Sequence, residues 1–399
     1  MVAHIVKHNL AAEQPAAASN THTIHSVGEL QQLALSNTMK TKTTGATLPL
    51  PPFYDSTAVE KWQWIPPYDR LHDIAVQWRG DHAIKPAGSD RARIALMPID
   101  NQLCFSHPDF QLYVGGRSGR GAIDDAGRLE RFVYENLGRI TAIHPTLDTH
   151  NAFQIFHRAF WVNGKGENPG PFTIITQEDV EKGVWSVNPA AAFAIFRSGT
   201  KHAGLQAHAL HYVKKLTAGG KYPLMVWPYH AVLGGAGHCI VPALEQAFFF
   251  HNIVRGSQTD FQIKGGNPLT ENYSILGPEV DRGADGKPIA SANTRFIETL
   301  LNYDAVIIAG QAKSHCVAWS VRHLLDEIAK RNPELAQKVY LLEDCTSSVV
   351  VRDANGVVIY DYTDDADKVF SEFKAAGMNL VSTSTPLEQW PGMDTLLAR

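Results

Sequence analysis

The chain has 399 residues, of which 44% are hydrophobic and 19% charged, a composition that excludes disordered and fibrous classes and allows a sizeable core. A net charge of −4 without a dense Lys/Arg stripe makes nucleic acid an unexpected partner. No run reaches the roughly 18 apolar residues of a membrane span, and the N-terminus lacks a charged segment followed by an apolar run. A cytoplasmic protein with no membrane partner is therefore expected.

Residues 1–45 are rich in Ala, Thr, Ser, His and Asn without periodicity and read as a flexible N-terminal arm. Residues 46–90, with Pro49, Pro51, Pro52, Trp62, Trp64, Pro66, Pro67 and Trp78, carry too many aromatics for a free linker and too many prolines for a regular helix. They read as an extended strap packed on the rest. From residue 91 to 385, short apolar runs alternate with amphipathic segments, the pattern of parallel strands joined by crossover helices. Strands are predicted at 93–100, 140–144, 260–264, 305–310 and 339–343, and helices at about 123–138, 241–253, 290–302, 316–331 and 364–376. The expected fold is α/β, a doubly wound, mostly parallel sheet with helices on both faces. An insertion at about 158–225, with Gly164-Lys-Gly166, Pro169-Gly-Pro171 and an alanine-rich run, reads equally as a lid or as cover for a sheet edge. Residues 386–399 remain as a C-terminal tail.

In open parallel sheets ligands bind beyond the carboxyl ends of the strands, so polar residues just past each apolar run are the candidates. They are Asp100, Asp148, His150, Lys264 and Cys316. The four cysteines, Cys104, Cys239, Cys316 and Cys345, are too sparse for a disulfide framework and are expected as free thiols. Cys316 opens a predicted helix, where the dipole and unpaired amides favour thiolate over thiol, and a lysine nearby would act in the same sense. An aspartate within reach could accept the thiol proton and return it to a leaving amine, while amides at the Cys316 turn could bind an oxyanion. Taken singly, Asp100 reads as a helix cap, Lys264 as a surface charge and Cys316 as a small buried residue; only their joint placement at strand ends favours chemistry. Asp148-Thr-His150, with His157 and His230 available, is a carboxylate–imidazole set that suits zinc, iron or manganese, against the plainer reading of Asp148 and His150 as caps.

The stretch from about 91 to 350 resembles the nicotinamidase branch of the isochorismatase-like cysteine hydrolases. The motifs carrying the resemblance are Asp100-Asn-Gln102 with Phe105, Asp148-Thr-His150, Trp227-Pro-Tyr-His230 before Gly234-Gly-Ala-Gly237, Lys264-Gly265 with Tyr273-Ser274, and Ala309-Gly-Gln-Ala312-Lys-Ser-His-Cys316-Val317, in the family's order. The resemblance implies attack by Cys316, proton shuttling by Asp100 beside Lys264, a thioester intermediate and release of ammonia. It also implies a divalent ion, zinc foremost with iron or manganese as alternatives, on Asp148, His150 and His230, with His157 a candidate further ligand. The oxyanion would lie on the amides of Ala312 and Cys316, after a cis peptide at Gln311-Ala312, and the substrate against Phe105, Trp227 and Tyr273. Lys313-Ser314 and Ala231 depart from the pattern common in relatives.

The expected partner is a small-molecule amide, nicotinamide or a similar compound, and family habit suggests a homo-oligomer. A hydrolase of the same fold acting on a ureido, carbamoyl or isochorismate-like substrate is the nearest rival, and a non-catalytic binding protein is a third reading.

Overall fold

A strand buried on both faces shows in sequence as an apolar run without alternation, and strands of that kind lie at the centre of this protein. The computed structural model describes residues 47–399, which form one compact unit, and the arm expected at 1–45 lies outside the described residues. Its principal strands are β1 (Ile94–Ile99), β2 (Ala142–Ile143), β3 (Thr146–Asp148), β4 (Gln262–Lys264), β5 (Ala305–Gly310), β6 (Val339–Leu342) and β7 (Asn379–Val381). The central sheet runs β7-β6-β5-β1-β2 with every pairing parallel. Where the sequence predicts one strand over 140–144, the chain is interrupted at Pro145, which has no N–H to give to a ladder. It resumes as β3, which pairs in parallel with β4.

Alternate residues of the sheet feed two separate cores. Ile94, Leu96, Ala305, Ile307, Tyr340 and Leu342 point to one face, covered by α2 (Gly121–Glu135) and α3 (Pro242–Arg255). Ala95, Met97, Ile99, Val306, Ile308 and Leu341 point to the other, covered by α4 (Thr294–Leu301), α5 (Ala318–Arg331) and α6 (Thr363–Ala375). This is the three-layer, doubly wound arrangement expected.

Two segments differ from expectation. The strap is not extended throughout: Tyr68–Asp81 form helix α1, with Leu71 and Ala75 buried. Pro66 and Pro67 stand before its first turn, where a missing N–H costs nothing, so they start the helix and do not break it. The C-terminal segment is packed, not loose, with Trp390 stacked on Phe132 at 5.6 Å and Met393 fully buried. The insertion builds a core of its own from Phe160, Trp161, Ile175, Val187, Leu205 and Tyr212. Its helix Pro189–Phe196 starts where the Asn188 side chain accepts the Ala190 N–H and proline occupies the first turn. No helix among the described residues is long and apolar enough to cross a membrane.

Candidate active site and metal centre

Strand register places the polar residues. Ile99 lies opposite Gly310 and Asp148 opposite Lys264, so the segments after β1 and β5 and the ends of β3 and β4 all emerge at one end of the strands. Asp100 directly follows β1 with φ of +48°, a left-handed conformation that an aspartate tolerates better than most residues. It is fixed reciprocally by Thr146: the Asp100 N–H donates to Thr146 Oγ1 at 3.1 Å, and the Thr146 hydroxyl donates to Asp100 Oδ1. Cys316 lies in the wide π-type turn Lys313–Val317 that leads into α5. The peptide Gln311-Ala312 ahead of it is cis.

The three residues expected as a triad meet. Lys264 Nζ sits 3.0 Å from Asp100 Oδ2 and 3.5 Å from Cys316 Sγ, and the Cys316 thiol is in hydrogen-bond reach of Asp100. All three are buried. Burial alone would strip the proton from Lys264, but Asp100 and Asp148 beside it outweigh that and hold its pKa well above the usual lysine range. For Asp100, burial wins over the lysine and raises the carboxyl. The thiol departs from expectation: burial pushes Cys316 up, Lys264 pulls it down, and Asp100 and Asp148 push it up again. Burial thus opposes the thiolate that the helix-end position and Lys264 favour. Desolvation outweighs the dipole here.

Lys264 also joins this group to a second one, since its Nζ lies 3.0 Å from Asp148 Oδ1. Asp148, His150 and His230 each offer a ligand atom, all within 4.8 Å of one another. His150 Nδ1 faces the Gly265 carbonyl at 3.1 Å and His230 Nδ1 faces the Pro228 carbonyl at 2.8 Å. A carbonyl only accepts, so both Nδ1 atoms carry hydrogen and both Nε2 atoms turn inward, 2.8 Å and 3.6 Å from Asp148 Oδ2. Asp148 is itself held by Gln102, whose Oε1 accepts its N–H at 2.7 Å while Nε2 donates to its carbonyl at 2.8 Å. At Gly265, φ +83°, a Cβ would come within 2.4 Å of Asp148 Oδ1 and 2.7 Å of His150 Cε1, so only glycine lets the loop close on these side chains. Two imidazole nitrogens and a carboxylate converging with their second partners already fixed fit a divalent cation of the zinc, iron or manganese type. His157 is beside this group, its ring centroid 5.6 Å from that of His150 and 5.9 Å from that of His230, and its Nδ1 is bound to the Asn151 carbonyl. Burial and the two neighbouring imidazoles lower its pKa to about 3.

A tight cleft separates the thiol from the imidazoles, lined by Phe105, Trp227, Tyr273 and Ala312 among others. Phe105 meets the His230 ring edge-on at 5.3 Å, and Trp227 Nε1 donates to the Tyr273 hydroxyl at 3.0 Å. Two lining residues, Glu271 and His315, escaped sequence reasoning. Burial above all raises Glu271 to about 7. His315 is boxed by Trp227, Tyr273, Tyr222 and Tyr362 at 4.9 to 5.5 Å. Tyr222, near the end of the insertion, also donates to the Ser314 carbonyl at 3.2 Å and so ties the insertion to the nucleophile turn. A larger, shallower hollow of about 580 Å³ lies under the strap beside Trp62 and Trp64, but it contains no cysteine and no converging ligand set. All four cysteines are free thiols.

No protein-family model and no curated protein matches the sequence. Among solved structures, the chain is similar to a nicotinamidase/pyrazinamidase of Acinetobacter baumanii, at 18% identity and TM-score 0.43, over 74% of this chain and 99% of that one. The yeast nicotinamidase bound to the inhibitor nicotinaldehyde is similar at 18% identity and TM-score 0.43, over 72% and 99%. A pyrazinamidase of Pyrococcus horikoshii in complex with zinc is similar at 16% identity and TM-score 0.37, over 73% and 99%. Likenesses this distant leave the chemistry to be argued from the side chains.

Proposed function

We propose that this protein is a metal-assisted cysteine amidohydrolase that releases ammonia from nicotinamide or a similar small amide. The observation that carries the reading is the meeting of Cys316, Lys264 and Asp100 within 3.0 to 3.5 Å, with Asp148 on the same lysine. In this reaction Asp100 takes the Cys316 proton as sulfur adds to the amide carbonyl carbon. The amides of Ala312 and Cys316 hold the resulting oxyanion. Collapse breaks the carbon–nitrogen bond, and the nitrogen leaves as ammonia with the proton from Asp100. Water then adds to the thioester with Asp100 as base, and the acid departs as the thiol is restored. Burial raises both the Cys316 thiol and the Asp100 carboxyl, so this carboxylate accepts a proton more readily than an exposed aspartate would.

Lys264 keeps its charge throughout and orients both carboxylates. Bound to Asp148, His150 and His230, a divalent ion would supply a Lewis-acid centre for an electron pair of the substrate. Phe105, Trp227 and Tyr273 would hold a flat ring between that centre and the thiol. The donor set favours this reading over a metal-free hydrolase of ureido or carbamoyl compounds.

The test is ammonia release from nicotinamide by the purified protein, with metal content measured on the same sample. Cys316→Ala should lower turnover by at least about 10,000-fold while leaving the fold and the metal in place. Metal-loaded protein that hydrolyses no small amide would refute the proposal.

A further inference from the structure

The side chain of Gln311 is fully buried between β5 and Ala312, and both ends of its amide are engaged. Nε2 donates to Asp125 Oδ2 at 2.8 Å, and Oε1 accepts the Ser347 N–H at 3.3 Å. The Ser347 carbonyl in turn accepts the Lys313 N–H at 2.8 Å. The residues before and after Ala312 are thus tied to one point, Gln311 by its side chain and Lys313 by its backbone. Asp125 is itself anchored: it lies on α2, is 2% exposed, and its Oδ1 accepts from Arg128 Nη2 at 2.8 Å. The Ser347 loop approaches α2 closely because that helix begins with a glycine. A Cβ at Gly121 would lie 2.5 Å from Ser347 Oγ. Burial raises Asp125 to about 6, with Ser347, Gln311 and Arg128 pulling it back, so at neutral pH it is a carboxylate that can accept from the glutamine.

We infer that Asp125 and Gln311 are positioning residues, which with Ser347 clamp the nucleophile turn so that the Ala312 amide points at the oxyanion. The inference rests on the amidohydrolase reading above. It explains why a polar pair is buried where an apolar one would pack as well. An apolar side chain at 311 would fill the space without fixing the orientation of the peptide that follows. An oxyanion donor acts only within a few tenths of an ångström of its place, so what holds Ala312 controls kcat more than binding.

A charge swap tests this. Gln311→Glu sets a second carboxylate against Asp125. The double variant Asp125→Asn/Gln311→Glu restores complementarity, because the new amide can donate to the new carboxylate and still accept from Arg128, while the carboxylate still accepts the Ser347 N–H. We expect kcat to fall about 100-fold in Q311E with KM changed by no more than about twofold, and to return to within about fivefold of wild type in the double variant. A purely structural role would lower stability without splitting kcat from KM. Crystal structures of both variants give a readout without turnover: Ala312 should be displaced in Q311E and back in place in the double variant. Wild-type kcat with Ala312 unmoved in Q311E, or a double variant no better than the single, would overturn the clamp. A wild-type protein without amidase activity would remove the reaction, and the crystal structures would still decide whether the clamp sets Ala312.

Discussion

Asp100 and Asp148 are buried as deeply as Glu130, yet the molecule treats the two places differently. At the strand ends the two aspartates share Lys264 at 3.0 Å each, and hydrogen bonds with Thr146 and Gln102 fix them. On α2, beneath the strap, neither oxygen of Glu130 has a hydrogen-bond partner among the described residues. Burial, with Asp55 adding to it, pushes Glu130 up to about 8, so it is neutral over much of the physiological range. Buried carboxyls in one chain thus differ in whether a cation was built in beside them: Lys264 pulls both aspartates down against their burial, and nothing does so for Glu130.

The strongest way to break that contrast is Lys264→Met, which would leave the site carboxylates as unaccompanied as Glu130. Turnover should fall about 1,000-fold, and unfolding should become easier by about 3–5 kcal/mol, the usual result of leaving buried charges unpaired. Chemical denaturation alongside ammonia release checks both, and unaltered stability would mean the lysine is not the organiser. His230→Ala cuts only one arm of the imidazole group. It should weaken zinc binding about 100-fold, read by competition with a chelator, while Asp100, Lys264 and Cys316 keep their arrangement. Unchanged zinc affinity would remove His230 from the ligand set.

The same contrast explains how much could be read from sequence. Asp100, Lys264 and Cys316 were legible because each ends or follows an apolar run, and in a parallel sheet the strand end is itself the address. Asp148 and His150 were legible by the same logic even though Pro145 splits their strand. Thr146, Glu271, His315 and the Asp125–Gln311 pair were not, since their meaning depends on what lies across the fold. His315 is an ordinary histidine until Trp227, Tyr273, Tyr222 and Tyr362 surround it. Helix α1 was hidden by counting prolines without asking where in the helix they stand. The burial that opposes the thiolate at Cys316 was not legible either, because sequence shows a helix end but not its depth.

The smallest effect concerns Glu130 itself. Its carboxyl has an ordinary pKa near 4.5 in the unfolded chain and about 8 when folded. Between those values the folded state keeps a proton that the unfolded state releases, so stability is fully present below about pH 4.5 and is lost as pH rises through 8. Glu130→Gln removes the titration, and the pH dependence of unfolding over this window should flatten. At pH 8 linkage alone would favour the variant by about 4 kcal/mol. The new amide buries a second donor that the protonated acid lacks, which returns about 2 kcal/mol, so a net gain of about 2 kcal/mol is expected in denaturant unfolding at pH 8 and a net loss at pH 5. A gain of the same size at both pH values would mean that Glu130 is not held neutral and that the contrast with the site is one of packing alone.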